Sequence, residues 1–133
     1  MVHFMNLNNV INTIKSINPN IKFVGSFDEN NKKTGYWEVY FDNGNLSYKG
    51  TYKNGLEEGY WEDYFDNGNL SWTGNYVNGL RHGYWESYYS YGNLFSKGNY
   101  VNGERDGHWE SYCSDGKHNY KGDFINGVFY EIK

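Results

Sequence analysis

Alanine and glutamine are absent from this 133-residue chain, arginine occurs twice, and cysteine and proline occur once each. One cysteine, Cys113, excludes an internal disulfide. No run approaches about 20 apolar residues, so no helix is expected to cross a membrane. The opening MVHFMNLNNV has neither the basic start nor the unbroken apolar stretch of a signal peptide. These absences lead us to expect a soluble, cytoplasmic protein. Positive charge is also short. With a formal net charge of −4 and a pI near 5.5, nothing favours nucleic acid as a partner, and membrane contact is expected to be peripheral at most. Twenty asparagines beside scarce Ala and Arg point to an AT-rich coding genome, which concerns source rather than function.

Rings and repetition stand in place of what is missing. Hydrophobic residues make up 38% of the chain and aromatics alone 21%, so any core must be built from rings rather than aliphatic side chains. A mean hydropathy of −0.91 describes a polar chain, yet disordered segments are poor in aromatics. The stretch GYWEVYFDNGNL recurs as GYWEDYFDNGNL, GYWESYYSYGNL and GHWESYCSDGKH. Gly35, Gly59, Gly83 and Gly107 lie 24 residues apart, as do Trp37, Trp61, Trp85 and Trp109. Glu38, Glu62, Glu86, Glu110 and Tyr40, Tyr64, Tyr88, Tyr112 follow the same step. Such a period marks a repeat array.

Each unit reads as two strands: a β-prone GYWEVYF, a DNGN turn, and a return strand LSYKGTY. Asn-Gly at 54–55, 78–79, 102–103 and 126–127 closes the second turn. The predicted fold is mostly β, a single-layer twisted antiparallel meander of 24-residue hairpin repeats. A half repeat at 21–34 precedes repeats at 35–58, 59–82, 83–106 and 107–130, and a terminal strand is expected over 128–133. Leu7, Val10, Ile11, Ile14 and Ile17 fall at helical spacing, predicting a short amphipathic helix over 1–20 that caps the array at 21–133. With Asn43-Gly44 as a two-residue turn, Phe41 would face Leu46 and Trp37 would face Gly50. That register puts Trp37, Val39, Phe41, Leu46, Tyr48 and Tyr52 on a core face. Tyr36, Glu38, Tyr40, Ser47, Lys49 and Thr51 fall on a polar face, and a bulge would exchange the two locally.

Gly59, Trp61, Tyr64, Asn67, Gly68, Leu70, Gly74, Tyr76, Asn78 and Gly79 together resemble the variant form of the MORN repeat, over roughly residues 21–130. The better-known MORN form has Gly-x-Gly where this chain has Gly59-Tyr60-Trp61, so only the variant branch fits. The resemblance implies a β-meander without catalytic residues that serves as a protein-interaction scaffold. Some members of the family are described as phospholipid binders, and many bacterial ones carry an antitoxin label. None of these roles has a residue signature that can be carried over.

The repeated glutamates invite an acid–base reading. Equivalent positions two strands apart would separate their carboxylates by ~10 Å, beyond the spacing of a retaining pair. They also share one environment, whereas acid–base work needs two. Cross-strand pairing of Glu38 with Lys49, Glu86 with Lys97 and Glu110 with Lys121 accounts for them better. The Asp115-Gly116 turn would set Cys113 opposite His118, a potential thiolate pair or half a metal site, with His108 on the preceding strand. A relaxed terminal unit explains the same residues, and no metal or cofactor is expected. The glycines have turn and ring-stacking duties and lead into no helix, so they are not a phosphate cradle.

The tyrosines are the best binding candidates: Tyr36, Tyr60 and Tyr84, with Tyr40, Tyr64, Tyr88 and Tyr112. Tyr presents broad contact area with few rotors and is favoured at interfaces. The rings could equally just shield the sheet from water. The expectation is a non-enzymatic scaffold for a protein partner of unknown identity, with self-association into a homo-oligomer possible. An antitoxin binding a toxin would be a special case. The alternative is a module for a phospholipid headgroup or small cationic ligand held by aromatic rings.

Overall fold

A computed structural model describes residues 22–133; the helix expected over 1–20 lies outside the described residues. Ten strands follow one another: β1 (Phe23–Phe27), β2 (Lys33–Tyr40), β3 (Leu46–Lys53), β4 (Leu56–Tyr64) and β5 (Leu70–Val77). They continue as β6 (Leu80–Tyr88), β7 (Leu94–Val101), β8 (Glu104–Tyr112), β9 (His118–Ile125) and β10 (Val128–Glu131). All pair antiparallel in sequence order, forming one open ten-stranded meander.

Two kinds of turn alternate, for different reasons. At Asn54-Gly55 both residues take positive φ, 53° and 78°, and Lys53 pairs with Leu56, as a two-residue type I′ hairpin requires. The Asn43-Gly44 turn is not of this kind. Only Gly44 has positive φ there, its N–H donates to the Phe41 carbonyl at 2.9 Å, and the Phe41 N–H donates to the Asn45 carbonyl. A type I turn followed by a left-handed glycine therefore replaces the expected two-residue loop. The Asn43 side chain accepts the Asn45 N–H and donates to the Asp66 carbonyl of the next unit, so it is held where it stands. The extra loop residue is absorbed by a bulge between Val39 and Tyr40.

That bulge corrects the register near every first turn. Trp37 faces Gly50, Glu38 faces Lys49 and Val39 faces Tyr48 as expected, but Leu46 faces Tyr40 rather than Phe41. Leu70 likewise faces Tyr64, and His118 faces Tyr112 rather than Cys113.

One face carries the core. Trp37, Trp61, Trp85 and Trp109 are each no more than 3% exposed, although the sheet has a single layer. They achieve this by meeting Tyr52, Tyr76, Tyr100 and Phe124 edge-to-face, in a ladder that runs across the strands. Each indole leans back over the preceding hairpin. Trp61 covers Gly50 rather than Gly74, and its Nε1–H donates to the Thr51 carbonyl at 3.2 Å; Gly74 lies beneath Trp85. Gly59, at φ +77°, supplies the left-handed residue where β4 bulges away from β3 and brings Trp61 over Gly50.

Candidate interaction faces

Alternation along each strand places Glu38, Glu62, Glu86 and Glu110 opposite the indoles, with a tyrosine two residues on either side, except that His108 stands before Glu110. The Tyr40, Tyr64, Tyr88 and Tyr112 hydroxyls donate to the glutamate two positions earlier, at 2.5 Å for Tyr88 and 2.8 Å for Tyr112. Tyr36 donates to Glu38 as well, at 3.1 Å. Burial, then the neighbouring carboxylates, pushes the Tyr40, Tyr64 and Tyr88 phenols upward, so they remain donors. The Tyr112 hydroxyl, with His108 and Lys97, holds Glu110 down at about 2.

All seven candidate tyrosines thus fall on one face, though not equally exposed. Tyr60 and Tyr84 project, at 56% and 49%, while Tyr40 is buried. Lysines interleave with the glutamates, but the ion pairs reach forward: Lys49 lies 3.9 Å from Glu62 and Lys97 lies 3.3 Å from Glu110. The register pairs expected from sequence, Glu38–Lys49 and Glu86–Lys97, are neighbours across the ladder.

The Cys113–His118 pairing does not form. The Cys113 N–H closes its turn on the Lys117 carbonyl, whereas His118 lies 3.5 Å from Glu110 and packs on the Tyr112 ring. His108 approaches Glu110 from the other side at 3.4 Å and Asp123 at 3.3 Å. Among the described residues, no group of three or more His, Cys, Asp and Glu has an arrangement that could hold a metal ion. Nor is any helix there long and apolar enough to cross a membrane.

The Trp face holds residues that sequence reasoning passed over. Lys33 stands 5.0 Å over Trp37, Arg81 4.5 Å over Trp85 and Arg105 4.8 Å over Trp109. The fourth position on that 24-residue step is Glu57, beside Trp61. It borders a hollow of about 240 Å³ that Asp63 also lines. Burial pushes the Asp63 carboxyl up to about 6, against the opposing pull of Arg81. The grid Lys33, Glu57, Arg81, Arg105 was readable in the sequence, where the invariant residues drew attention away from it.

No curated protein matches the chain. Among solved structures, a crystal structure of a GtfA/B complex bound to UDP and GlcNAc aligns with 84% of this chain at 14% identity, with a TM-score of 0.35. The alignment covers 23% of that chain, so the present chain spans less than a quarter of its length. The family described as MORN repeat variant matches residues 33–54 and 81–102, which are β2–β3 and β6–β7 with their turns. Those two stretches are what the chain shares with the MORN repeat variant, a family that points to a repeat scaffold or binding module.

Proposed function

We propose that this chain is a non-enzymatic scaffold that binds a partner protein across the Tyr face. One observation carries the reading: a row of phenol rings whose hydroxyls fix a row of carboxylates, leaving Tyr60 and Tyr84 projecting from an already ordered surface. Ordering the face before binding lowers the side-chain entropy lost on association. The repetition supports a partner that spans several strands, since the same motif returns every second strand. It also argues against catalysis, because each Glu is engaged by the Tyr hydroxyl two positions on, an arrangement that repeats rather than forming one unique site.

Affinity capture from lysate of the producing cell tests this, with native protein beside a Tyr60→Ser/Tyr84→Ser variant shown by circular dichroism to be folded. These two rings project from the sheet, so their loss leaves the Tyr64–Glu62 and Tyr88–Glu86 bonds in place. A protein held by the native chain and lost by the variant is the expected result. Equal capture by both would move the site off this face, and no capture by either would overturn the scaffold reading.

A further inference from the structure

Of the four indoles Trp37, Trp61, Trp85 and Trp109, three have a cation of this chain laid over them, and Trp61 does not. Lys33, Arg81 and Arg105 pair across the ladder with Phe27, Tyr76 and Tyr100, and each lays its charge over the adjacent indole. Glu57 occupies the same ladder position opposite Tyr52. Where its siblings supply a positive charge, it supplies a negative one. The Trp61 ring therefore has no cation of its own chain over it among the described residues, while Tyr48, Tyr52 and Tyr76 stand around it at centroid distances of 5.8, 4.9 and 5.9 Å. Glu57, Asp63 and Trp72 join these rings in lining the hollow of about 240 Å³.

We propose that this hollow binds a small organic ammonium ion, methylated at nitrogen, which takes the place over Trp61 that Lys33, Arg81 and Arg105 take over the neighbouring indoles. Ring faces attract a cation through their quadrupole, and a methylated nitrogen sheds water more readily than a bare ammonium in such a cage. Glu57 supplies the countercharge. Asp63 adds to it, although Arg81 draws on that carboxylate. Arg81 stands at the edge of the hollow, 5.5 Å over Trp72 and bonded to the Tyr76 hydroxyl. Its charge centres 4.5 Å over Trp85 and its guanidinium donates to the Tyr100 hydroxyl at 3.2 Å, which leaves the Trp61 ring to the ligand. The site is on the opposite side of the sheet from the projecting tyrosines, so it stands or falls independently of the scaffold reading.

Choline and its uncharged isostere 3,3-dimethyl-1-butanol separate charge from shape. Binding is read by calorimetry and by Trp fluorescence on the full chain. Choline should bind at least about tenfold more tightly than the isostere, the ratio of roughly 1.4 kcal/mol within the cation–π range. Glu57→Arg gives Trp61 the residue that Arg81 and Arg105 supply to Trp85 and Trp109, so it should fold at least as well as native and lose choline binding. Glu57→Gln should weaken choline several-fold and leave the isostere unchanged. Flotation with phosphatidylcholine vesicles distinguishes the source of the ammonium group: binding there as well identifies a lipid headgroup, and binding of free choline alone identifies a soluble amine. Equal affinity for choline and isostere, undiminished choline binding by folded Glu57→Arg, or no choline binding at millimolar concentration would each overturn the proposal. None of these changes touches the Tyr60 and Tyr84 rings, so partner capture should be unaffected.

Discussion

The two faces of this sheet are built on the same period and from the same class of residue, yet they do different work. On one, Trp61 is 3% exposed, with a glycine beneath it and tyrosine edges around it; on the other, Tyr60, its neighbour in sequence, is 56% exposed. Single-residue alternation along β4 produces the difference. An indole can be buried in a single-layer sheet only where the adjoining strand has no side chain in the way, and Gly25, Gly50, Gly74 and Gly98 provide that space. No such clearance is needed on the Tyr face, where hydroxyls turn to carboxylates rather than rings to backbone. The Trp face holds the fold, and the Tyr face presents a surface.

The sharpest way to break this contrast is Trp61→Ala. It removes a fully packed ring and bares Gly50, so a loss of about 3–5 kcal/mol is expected, measured by chemical denaturation. Tyr60→Ala, one residue away, should stay within about 0.5 kcal/mol of native, the range of exposed substitutions. Equal losses at the two positions would erase the distinction between the faces. Gly50→Ala asks the same question from the other side. An added methyl would overlap the Trp61 indole, and a loss of about 1–3 kcal/mol is expected. An unchanged midpoint would mean the close approach of ring to glycine contributes little.

Much of this contrast was legible in the sequence. The 24-residue step gave the strands, their order and the pairing of Trp37 with Gly50, because period and Asn-Gly turns fix where a chain reverses. What was hidden lay in three places. The first turn looked like Asn54-Gly55 but is set by Asn43 reaching to Asp66, a contact between units that no local motif announces. Which indole covers each glycine was hidden, since ladder register says which Cα atoms are opposite and not which way a long ring leans: Trp37 faces Gly50 but lies over Gly25. Lastly, Lys33, Glu57, Arg81 and Arg105 vary while their neighbours repeat, so the residues that distinguish one unit from the next were passed over.

Charge on the Trp face sharpens the comparison further. Asp63 sits where the first repeat has Val39, and its carboxyl is raised from its ordinary 3.8 to about 6 by burial. The folded chain therefore holds this proton between pH 3.8 and 6 while the unfolded chain releases it. The contribution of this group to stability falls as pH rises through that window. Asp63→Asn should flatten that part of the pH profile and raise stability at pH 7 by on the order of 1 kcal/mol, discounted for a half-exposed site and for the lost attraction to Arg81. Thermal melts of both proteins at pH 4 and pH 7 check this. A gain from the substitution that is as large at pH 4 as at pH 7 would remove the carboxyl from the explanation.

The smallest effect is expected from Glu62→Gln, on the Tyr face. Glu62 accepts the Tyr64 hydroxyl and lies 3.9 Å from Lys49. Glutamine keeps an oxygen for the phenol and gives up only a long, partly screened ion pair, so the cost should be about 0.5 kcal/mol or less. Partner capture should persist, because the projecting Tyr60 and Tyr84 are untouched. If the substitution instead destabilised the chain as much as Gly50→Ala, the carboxylate row would be a structural spine. The Tyr face would then be a second core rather than a surface held ready for a partner.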